Sequence, residues 1–534
     1  MKIQNSDLIE NEKIDLHADN DAISRRKVLE SLLACVVLGA IPSAAQESVK
    51  RTYLRFGKTA SVSVPRDFVG LSYETAQLAD SKYFSSDNHE LISLFRNLGH
   101  SGVLRIGGNS SEFCWWKTKS NETAPVMPSS SLSEGNWMPQ RYTAIEPLAI
   151  DRLAGFLDAT GWSAIYGLNL GTGTPERDAE EAAYVANVLG ARLLYFQIGN
   201  EPEYYSNDNT RLRSKDWNFD RYWAQWKEFA QAVIQRVPHA RFGGPDVGSN
   251  EDWVIQFAER AVKEMPGRIA ACTGHFYAEG PPDSPTTTVA RLLGRNQNYD
   301  NELDHITSTA TRSGIAYRMT EGNSCYRGGK PGLSDAFCST LWAAEFMLNL
   351  AIKGAAGVNF HGGGSKQIRM SLGGHLPGED VAPKSTSALD SFYTPIAGSR
   401  NSRYVARPVF YGMKLAGLLA GGRMRQARLE GPSSEAVAWV AEMPNGETRV
   451  VVLNKSQQSE LVLWIASAHS ARLWRIEAPS LAATSGVTFA GAAIAAGKQW
   501  QPRREERIAS TSGMVATTVP AVSGAVLFFR DGLV

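Results

Sequence analysis

Eight short apolar runs that alternate with amphipathic segments are the feature that most constrains the fold of this chain. The runs are VGLSYE (69–74), GVLRIGG (102–108), SAIYGLNL (163–170), RLLYFQIGNEP (192–202), RFGGPDVG (241–248), ACTGHFY (271–277), AYRMTEG (316–322) and AGVNFHGG (356–363). The segments between them carry apolar residues at spacings of three and four, which predicts helices. Strands that alternate with helices predict an α/β fold with a parallel sheet.

Eight strands with intervening helices over about 350 residues are typical of a (β/α)8 TIM barrel that carries insertions. We place this barrel at residues 67–422. The alternative, an open doubly wound sheet, usually carries a glycine-rich phosphate-binding fingerprint after its first strand. The corresponding segment here, VGLSYETAQ, has no such pattern, which favours the barrel.

Residues 423–534 have a different character, with short alternating segments such as AVAWVAEM, TRVVVLNKS and AVLFFRD between polar turns. This pattern predicts a C-terminal antiparallel β-sandwich domain. A strand-like segment at residues 51–66 precedes the barrel and can add a strand or two to that sandwich. The chain has 534 residues, more than a single typical domain, which agrees with this division.

Residues 1–45 have the pattern of an export signal. Arg25 and Arg26 precede the apolar run LLACVVLGAI and a small-residue site, which resembles a twin-arginine signal cleaved near Ala45. The apolar run is shorter than the roughly 20 residues that a membrane-spanning helix needs. We therefore expect export to the periplasm or the extracellular space without a membrane span, while lipoprotein anchoring at Cys35 stays open.

The composition argues against several other classes of function. Lys and Arg total 55 and Asp and Glu total 54, so a net charge of +1 provides no general attraction to nucleic acid. Beyond Cys35 the chain has Cys114, Cys272, Cys325 and Cys338, whose spacing matches no metal motif. We expect buried thiols, with a Cys325–Cys338 bridge left open, and neither a metal nor another cofactor. The oligomeric state is not specified by the sequence.

Three glutamates close strands of the predicted barrel, at the end where barrel enzymes carry their active residues. Glu74 follows the first run, Glu201 ends the fourth and Glu321 ends the seventh. A single glutamate at such a place could simply cap the next helix. Two on opposing strands fit retaining glycoside hydrolysis, which needs two carboxyl groups about 5 Å apart.

The motifs around these glutamates resemble a known family. FQIGNEP, together with a glutamate closing the seventh strand, looks like the clan of retaining barrel glycosidases. GLSYE, LRIGGNSS, IGNEPEYY, GHFYAEGP, MTEGNSCYRGGK and VNFHGGG are similar to glycoside hydrolase family 79, which contains β-glucuronidases and heparanases. The resemblance covers the barrel in chain order and implies a C-terminal sandwich.

The resemblance implies roles for individual residues. Glu201 would be the general acid/base and Glu321 the nucleophile, with Asn200 bonded to the sugar 2-hydroxyl. Tyr277 resembles the tyrosine that contacts the nucleophile. Arg105, on the second strand, could keep Glu321 ionised by charge pairing, although a salt bridge at the barrel edge is the alternative.

A uronate carboxylate would be bound, by the same resemblance, by backbone amides of a glycine-rich loop and by tyrosine hydroxyls. Tyr326, Gly328 and Gly329 match that loop, and Tyr393 matches the second hydroxyl. Lys330 could add positive charge or face solvent. Glu74 completes the predicted substrate-binding set. The polar stretch before Tyr393 is longer than the family's usual connection.

We therefore predict an exo-acting β-glucuronidase that releases terminal glucuronate, with or without a 4-O-methyl group, from a glycan or glycoside. An endo-acting, heparanase-like hydrolase is the nearest alternative, but binding a sulfated chain requires a line of Lys and Arg. The near-neutral charge favours the exo enzyme. An inactive carbohydrate-binding protein on the same fold is a third possibility, which the presence of both glutamates opposes.

Overall fold

The computed structural model of the protein describes residues 51–128, 141–364, 367–368, 391–530 and 533. The predicted export signal at residues 1–45, with Cys35, lies outside the described residues. So does most of the polar stretch at 365–391 that precedes Tyr393.

All eight apolar runs form strands of one closed barrel, so the predicted (β/α)8 fold is confirmed. Barrel strands 1 to 8 are Val69–Glu74, Val103–Gly107, Ser163–Leu168, Leu193–Ile198, Phe242–Val247, Ile269–Glu279, Ala316–Cys325 and Gly357–Gly362. Each strand pairs in parallel with its neighbours along the chain, and strand 8 closes on strand 1. Every carboxyl end therefore points to the same rim.

Nine α-helices lie within the described residues. They are α1 His89–Leu98, α2 Pro147–Thr160, α3 Pro175–Leu189, α4 Phe219–Arg236, α5 Glu251–Glu264, α6 Val289–Leu293, α7 Gln297–Arg312, α8 Phe337–Ile352 and α9 Pro408–Gly417. Local sequence explains several starts: the side chains of Thr174, Asn218 and Asn250 each accept a hydrogen bond from the third helical N–H. On α4, Trp223 and Trp226 face the barrel core with almost no exposure.

The C-terminal segments form two sheets, which confirms the predicted sandwich. One contains, in spatial order, Ala427–Glu430, Arg51–Phe56, Leu461–Ala466, Met514–Val519 and Ser510–Thr511. The other contains Val62–Ser63, Arg423–Arg425, Ala436–Glu442, Thr448–Asn454, Ser523–Phe529, Ala471–Glu477 and Thr488–Phe489, with Glu506–Ile508 beside Ala471–Glu477. Their strands are antiparallel except where Arg51–Phe56 runs parallel to Leu461–Ala466. Two small sheets pair Cys114–Trp116 with Thr143–Ile145, and Ile396–Ser399 with Ser402–Ala406.

Two apolar cores explain how the sandwich and the barrel stay together. Leu54, Val450 and Leu527 belong to a core between the two sheets. Val451 and Val526, which alternate with them along the same strands, belong instead to the large core of the barrel and its helices. The eight-strand sheet is thus buried on both faces, and the described residues belong to one compact unit. The domain boundary at residue 422 stays a prediction.

The four described cysteines, Cys114, Cys272, Cys325 and Cys338, are free and buried, as expected for core thiols, and the Cys325–Cys338 bridge is not formed. Within the described part of the chain, no helix is long and apolar enough to cross a membrane.

Candidate active site

A cavity of about 480 Å³ opens at the carboxyl ends of the barrel strands. Its lining consists of Glu74, Asn109, Asn200, Glu201, Tyr204, Asn207, Asn209, Thr210, Gly248, Ser249, Tyr277, Glu321, Tyr326, Arg327, His361 and Tyr393. The volume is in the range of small-molecule sites. Seven residues predicted from the sequence are brought together here: Glu74, Asn200, Glu201, Tyr277, Glu321, Tyr326 and Tyr393.

The two glutamates on barrel strands 4 and 7 face each other across this cavity. One carboxylate oxygen of Glu201, one of Glu321 and a ring nitrogen of His275 all lie within 4.8 Å of one another. Retaining glycosidases hold their two carboxyl groups about 5 to 5.5 Å apart, whereas inverting enzymes need about 6.5 to 9.5 Å. A separation within 4.8 Å is therefore closer to the retaining range than to the inverting one.

Glu321 is surrounded by donors that stabilise its ionised form. Arg105 Nη1 donates to Oε2 at 2.7 Å, and the Tyr277 hydroxyl donates to Oε1 at 2.8 Å. Burial opposes ionisation, but the charges of His361, His275 and Arg105 outweigh it and lower the pKa of Glu321 to about 2. Glu321 is therefore an anion at neutral pH.

The guanidinium of Arg105 lies beneath the cavity and uses each of its nitrogens. Besides Glu321 it donates to Ser72 Oγ at 3.2 Å, Gln197 Oε1 at 3.1 Å and Asn200 Oδ1 at 2.8 Å, and it pairs with Asp246 Oδ2. Gly107 makes room for it, since a Cβ there would come within 2.3 Å of the guanidinium. Arg105 does pair with Glu321, and its burial inside the barrel rules out a pair at the barrel edge.

A histidine and an aspartate that the sequence analysis did not select lie between the two glutamates. His275 Nδ1 lies 3.0 Å from Glu201 Oε1, and its Nε2 lies 3.2 Å from Asp246 Oδ1. Burial alone would lower the pKa of His275, but Asp246 and Glu321 raise it to about 10. Although burial opposes it, the charge of Arg105 keeps the pKa of Asp246 well below its usual range. His275 is thus a buried cation.

Strand irregularities aim these side chains inward. The pairing between barrel strands 5 and 6 skips Asp246, which has a left-handed φ of 64°. The pairing between strands 6 and 7 skips Thr320, whose hydroxyl donates to Asp246. Such bulges commonly redirect side chains next to active sites.

Glu201 adopts a strained conformation that is stabilised from several sides. Its φ of 47° is left-handed, and its backbone N–H donates to the Asp246 carbonyl at 2.9 Å. Left-handed φ costs a non-glycine residue about 1 to 3 kcal/mol and persists only where surrounding contacts require it. Gly248 permits the close approach of the loop, because a Cβ there would lie 2.8 Å from Glu201 Oε1. The Glu201 side chain keeps 21% of its surface exposed to the cavity.

Asn200 is fixed by both backbone and side chain. Its N–H donates to the buried carboxylate of Glu112 at 2.6 Å, and its Nδ2 donates to Asn109 Oδ1 at 3.0 Å. Because Oδ1 accepts from Arg105, the orientation of the amide group is determined. Burial raises the pKa of Glu112 to about 7, so it can take up a proton near neutrality.

The predicted uronate-binding residues lie at one side of the cavity, but not all of them reach it. Tyr326 and Tyr393 line it, together with Arg327, which has a left-handed φ of 57°. Gly328 and Gly329 are absent from its lining among the described residues. The Gly328 carbonyl accepts from the Tyr393 N–H at 3.3 Å, so the loop supports Tyr393.

Lys330 is directed away from the cavity. Its ammonium donates to the carbonyls of Thr287 at 2.7 Å and Ser284 at 3.4 Å. It therefore fixes the loop that follows barrel strand 6.

Glu74 and His361 form another part of the cavity wall, where the His361 ring packs against Tyr393 with ring centres 5.9 Å apart. Its Oε2 accepts from the backbone N–H of Ser110 at 2.8 Å and from the hydroxyl of Ser110 at 2.6 Å. His361 lies between two carboxylates, 3.4 Å from Glu74 and 3.6 Å from Glu321. This wall can exchange hydrogen bonds with hydroxyl groups.

The residues that sequence reasoning missed carried detectable signals. Asp246 and His361 are polar residues near the ends of the fifth and eighth runs, where barrel enzymes place active residues. His275 precedes Tyr277 by two positions, and alternate residues of a strand share a face. Arg327 lies between two residues that were selected. These residues would have been found by inspecting every polar residue at every strand end.

The site does not require a metal for its contacts to be satisfied. Glu201, His275 and Glu321 offer donor atoms close enough to hold a cation. However, both ring nitrogens of His275 already face carboxylates, and its raised pKa favours a proton over a metal ion. The arrangement is therefore suited to proton transfer and to holding one anionic carboxylate.

Sequence comparison relates the chain to two fungal enzymes. A β-glucuronidase of Aspergillus niger is 23% identical over 461 residues, which cover 79% of this chain and 79% of that protein. A β-glucuronidase of Neurospora crassa is 22% identical over 370 residues, which cover 63% of each chain. No protein-family model matches the chain.

Structural comparison relates the fold to a barrel glycosidase. A 4-O-α-L-rhamnosyl-β-D-glucuronidase from Fusarium oxysporum, solved with Rha-GlcA, superposes with a TM-score of 0.69 at 16% identity. The match covers 89% of this chain and all of that one. At this identity the likeness concerns the fold alone.

The buried cation at His275 predicts a pH-dependent contribution to stability. Its folded pKa of about 10 exceeds the unfolded value, so the contribution is complete below about pH 6.5 and is lost as the pH rises through 10. His275→Gln should lower Tm by about 3 to 5 °C near pH 6, and this difference should shrink toward pH 10. Calorimetry across this range tests it. His305→Gln, at an exposed histidine of α7, is the control. A difference independent of pH would contradict a charged His275.

Proposed function

We propose that the chain, which belongs to the β-glucuronidase family of glycoside hydrolases, is a retaining, exo-acting β-glucuronidase that releases terminal glucuronate. The observation that carries this proposal is the pair Glu201 and Glu321, within 4.8 Å but in different surroundings. Glu321 is held as an anion, while Glu201 has a partly exposed carboxyl group at the cavity. This asymmetry suits a nucleophile and an acid.

In the first step Glu321 attacks the anomeric carbon as the bond to the leaving oxygen breaks. Glu201 donates its proton to that oxygen, and an α-glycosyl ester of Glu321 forms. Tyr277 and Arg105 each hold one oxygen of Glu321, which orients the carboxylate for attack. Since the nucleophile is already ionised, no proton has to leave it.

In the second step water attacks the anomeric carbon and Glu201 accepts its proton, which releases the β-anomer. The ester has neutralised Glu321, so Glu201 no longer faces a neighbouring anion when it becomes the base. His275 bonds to Glu201 Oε1, leaving Oε2 to exchange the proton. The two displacements together retain the anomeric configuration.

Asn200 and Glu74 are proposed to hold the sugar hydroxyls. Asn200 Oδ1 already accepts a hydrogen bond from Arg105. The amide nitrogen of Asn200 is therefore the group that can donate toward a 2-hydroxyl. Such a bond strengthens in the transition state of glycosidases. Glu74 and His361 also line the cavity and provide acceptors and donors for the remaining hydroxyls.

Glucuronate as the substrate class is supported by the relatives, both named β-glucuronidases. The candidate partners of the sugar carboxylate are the hydroxyls of Tyr326 and Tyr393 and the guanidinium of Arg327, all in the cavity lining. A positive charge is needed here, because Glu74, Glu201 and Glu321 would otherwise repel a uronate. We propose Arg327 in place of the amides of Gly328 and Gly329.

Exo action is supported by the charge of the cavity. Among the described residues of its lining, Arg327 is the single Lys or Arg, whereas binding a sulfated chain requires a row of them. The presence of both glutamates at the cavity also opposes an inactive binding protein. We further propose that the product is glucuronate with or without a 4-O-methyl group. We also propose that residues 1–45 direct export of the protein.

Replacing the nucleophile should give an enzyme that azide can rescue. Glu321→Gly should abolish hydrolysis of an aryl β-D-glucuronide, and azide should restore part of the rate by occupying the vacated space. The expected product is the α-glucuronosyl azide, identified by NMR of the reaction mixture. A β-azide would assign Glu321 to the acid/base role instead.

Replacing the acid should make the rate depend on the leaving group. Glu201→Ala should slow substrates with poor leaving groups by roughly 10²- to 10⁴-fold, while activated aryl glucuronides, which need little protonation, should lose far less. The comparison is kcat/KM for a dinitrophenyl and an alkyl glucuronide. Equal losses on both would contradict acid catalysis by Glu201.

Tyr393 is proposed to bind the uronate carboxylate through its hydroxyl. Tyr393→Phe removes one proposed donor, and a hydrogen bond to a charged group contributes about 1.5 to 3 kcal/mol. Its kcat/KM on glucuronides should fall roughly ten- to a hundredfold relative to any activity on the matching glucoside. Tyr195→Phe is the control, since its buried hydroxyl has no partner among the described residues. A parallel fall on both substrates would mean that Tyr393 only supports the cavity wall.

A further inference from the structure

We propose that a second cavity, at the amino ends of the barrel strands, binds an oxyanion group independently of the active site. This basic cavity has a volume of about 470 Å³ and lies between the barrel, α1, α9 and the sandwich. Five basic side chains line it: Arg66, Arg96, His100, Lys414 and Arg449. The active site opens at the other rim of the barrel, so the two sites are separate.

The charge of the basic cavity is unbalanced. Its described lining contains no aspartate or glutamate, although the whole chain is almost neutral. In the described structure neither Arg66, Arg96 nor Lys414 forms an ion pair, whereas many other surface arginines do. Arg449 pairs with Glu447, which leaves the rest of the cluster uncompensated. An anion entering the cavity would therefore meet several cations without a competing carboxylate.

The pKa of Lys414 reflects this lack of a counter-charge. Its ammonium donates to the Asn97 carbonyl at 2.6 Å and lies 4.6 Å from the centre of the Trp500 ring. Burial lowers the pKa of Lys414 to about 8, and no neighbouring carboxylate offsets that effect. A bound anion would supply the missing charge and stabilise the ammonium form.

Helix capping explains only part of the cluster. Cations near the carboxyl end of a helix are favoured. Arg96 lies in the last turn of α1 and His100 follows its end, while Lys414, in the last turn of α9, donates to the Asn97 carbonyl of α1. Arg66 belongs to no helix and comes from the segment that leads into barrel strand 1. Residues from these separate segments converge on one concave space, which is the arrangement expected of a binding site.

The chemistry of the lining selects the ligand. Guanidinium groups bind carboxylate, sulfate and phosphate through paired hydrogen bonds. The volume accommodates such a group on a sugar as well as a free inorganic ion. The shared feature is an oxyanion with at least two acceptor oxygens, and its source is either an acidic glycan or an inorganic anion.

Calorimetric titration of the full-length protein tests the proposal with three probes: inorganic sulfate, galactose 6-sulfate and galactose. None contains glucuronate, so failure of the proposed activity would not affect the result, and anion binding at Arg327 in the active site is distinguished by variants of the basic cavity. We expect saturable binding of both anions and none of galactose. Markedly tighter binding of galactose 6-sulfate would identify a glycan-borne group, and equal or weaker binding would identify a free anion.

The double variant Arg66→Ala/Arg96→Ala should weaken the anion Kd at least tenfold, because two charge-assisted contacts are lost. Both side chains are exposed, so the fold should survive, and glucuronide hydrolysis should be unchanged. Arg236→Ala is the matched control, since Arg236 is also an exposed arginine in the last turn of a helix. The proposal is overturned if no saturable binding occurs, or if the double variant and the control bind sulfate equally well.

Discussion

The buried guanidinium of Arg105 is the group on which the active site depends. Removing a charge from water is costly and is tolerated only where paired charges and hydrogen bonds compensate for it. Here Glu321 and Asp246 supply two negative charges, and Asn200 supplies a further acceptor. Together with His361 and His275, this side chain keeps Glu321 ionised, and it also orients the amide of Asn200 next to Glu201. Loss of Arg105 would leave both carboxylates buried without their shared counter-charge.

The same network explains how two glutamates on one rim acquire different chemistry. Glu321 accepts from Arg105 and Tyr277, so its charge is stabilised on both oxygens. Glu201 accepts from His275 on one oxygen and keeps part of its surface at the cavity. His275 links the two halves, because Asp246 holds its other nitrogen. Surroundings rather than residue type thus separate the acid from the nucleophile.

Several features of the site followed from local sequence, and others did not. The runs that end in Glu201 and Glu321 located the strand ends, since parallel strands of a barrel share one active rim. Asp246 was missed, although it lies near the end of the fifth run, because its inward direction depends on a bulge and a left-handed φ. Gly328 and Gly329 illustrate the reverse case: their pattern predicted contact with a ligand, but the loop turns so that Arg327 lines the cavity.

The sequence by itself determined the barrel, the sandwich and the two glutamates, because hydrophobic periodicity and strand-end chemistry are local properties. Only the tertiary structure decided that the two carboxylates lie within 4.8 Å, the charge state of His275 and the partners of Arg105. Those properties depend on distances between residues far apart in the chain and on exclusion of water around them. The basic cavity has the same origin, since Arg66 and Lys414 are 348 positions apart (414 − 66) and meet only when the chain folds.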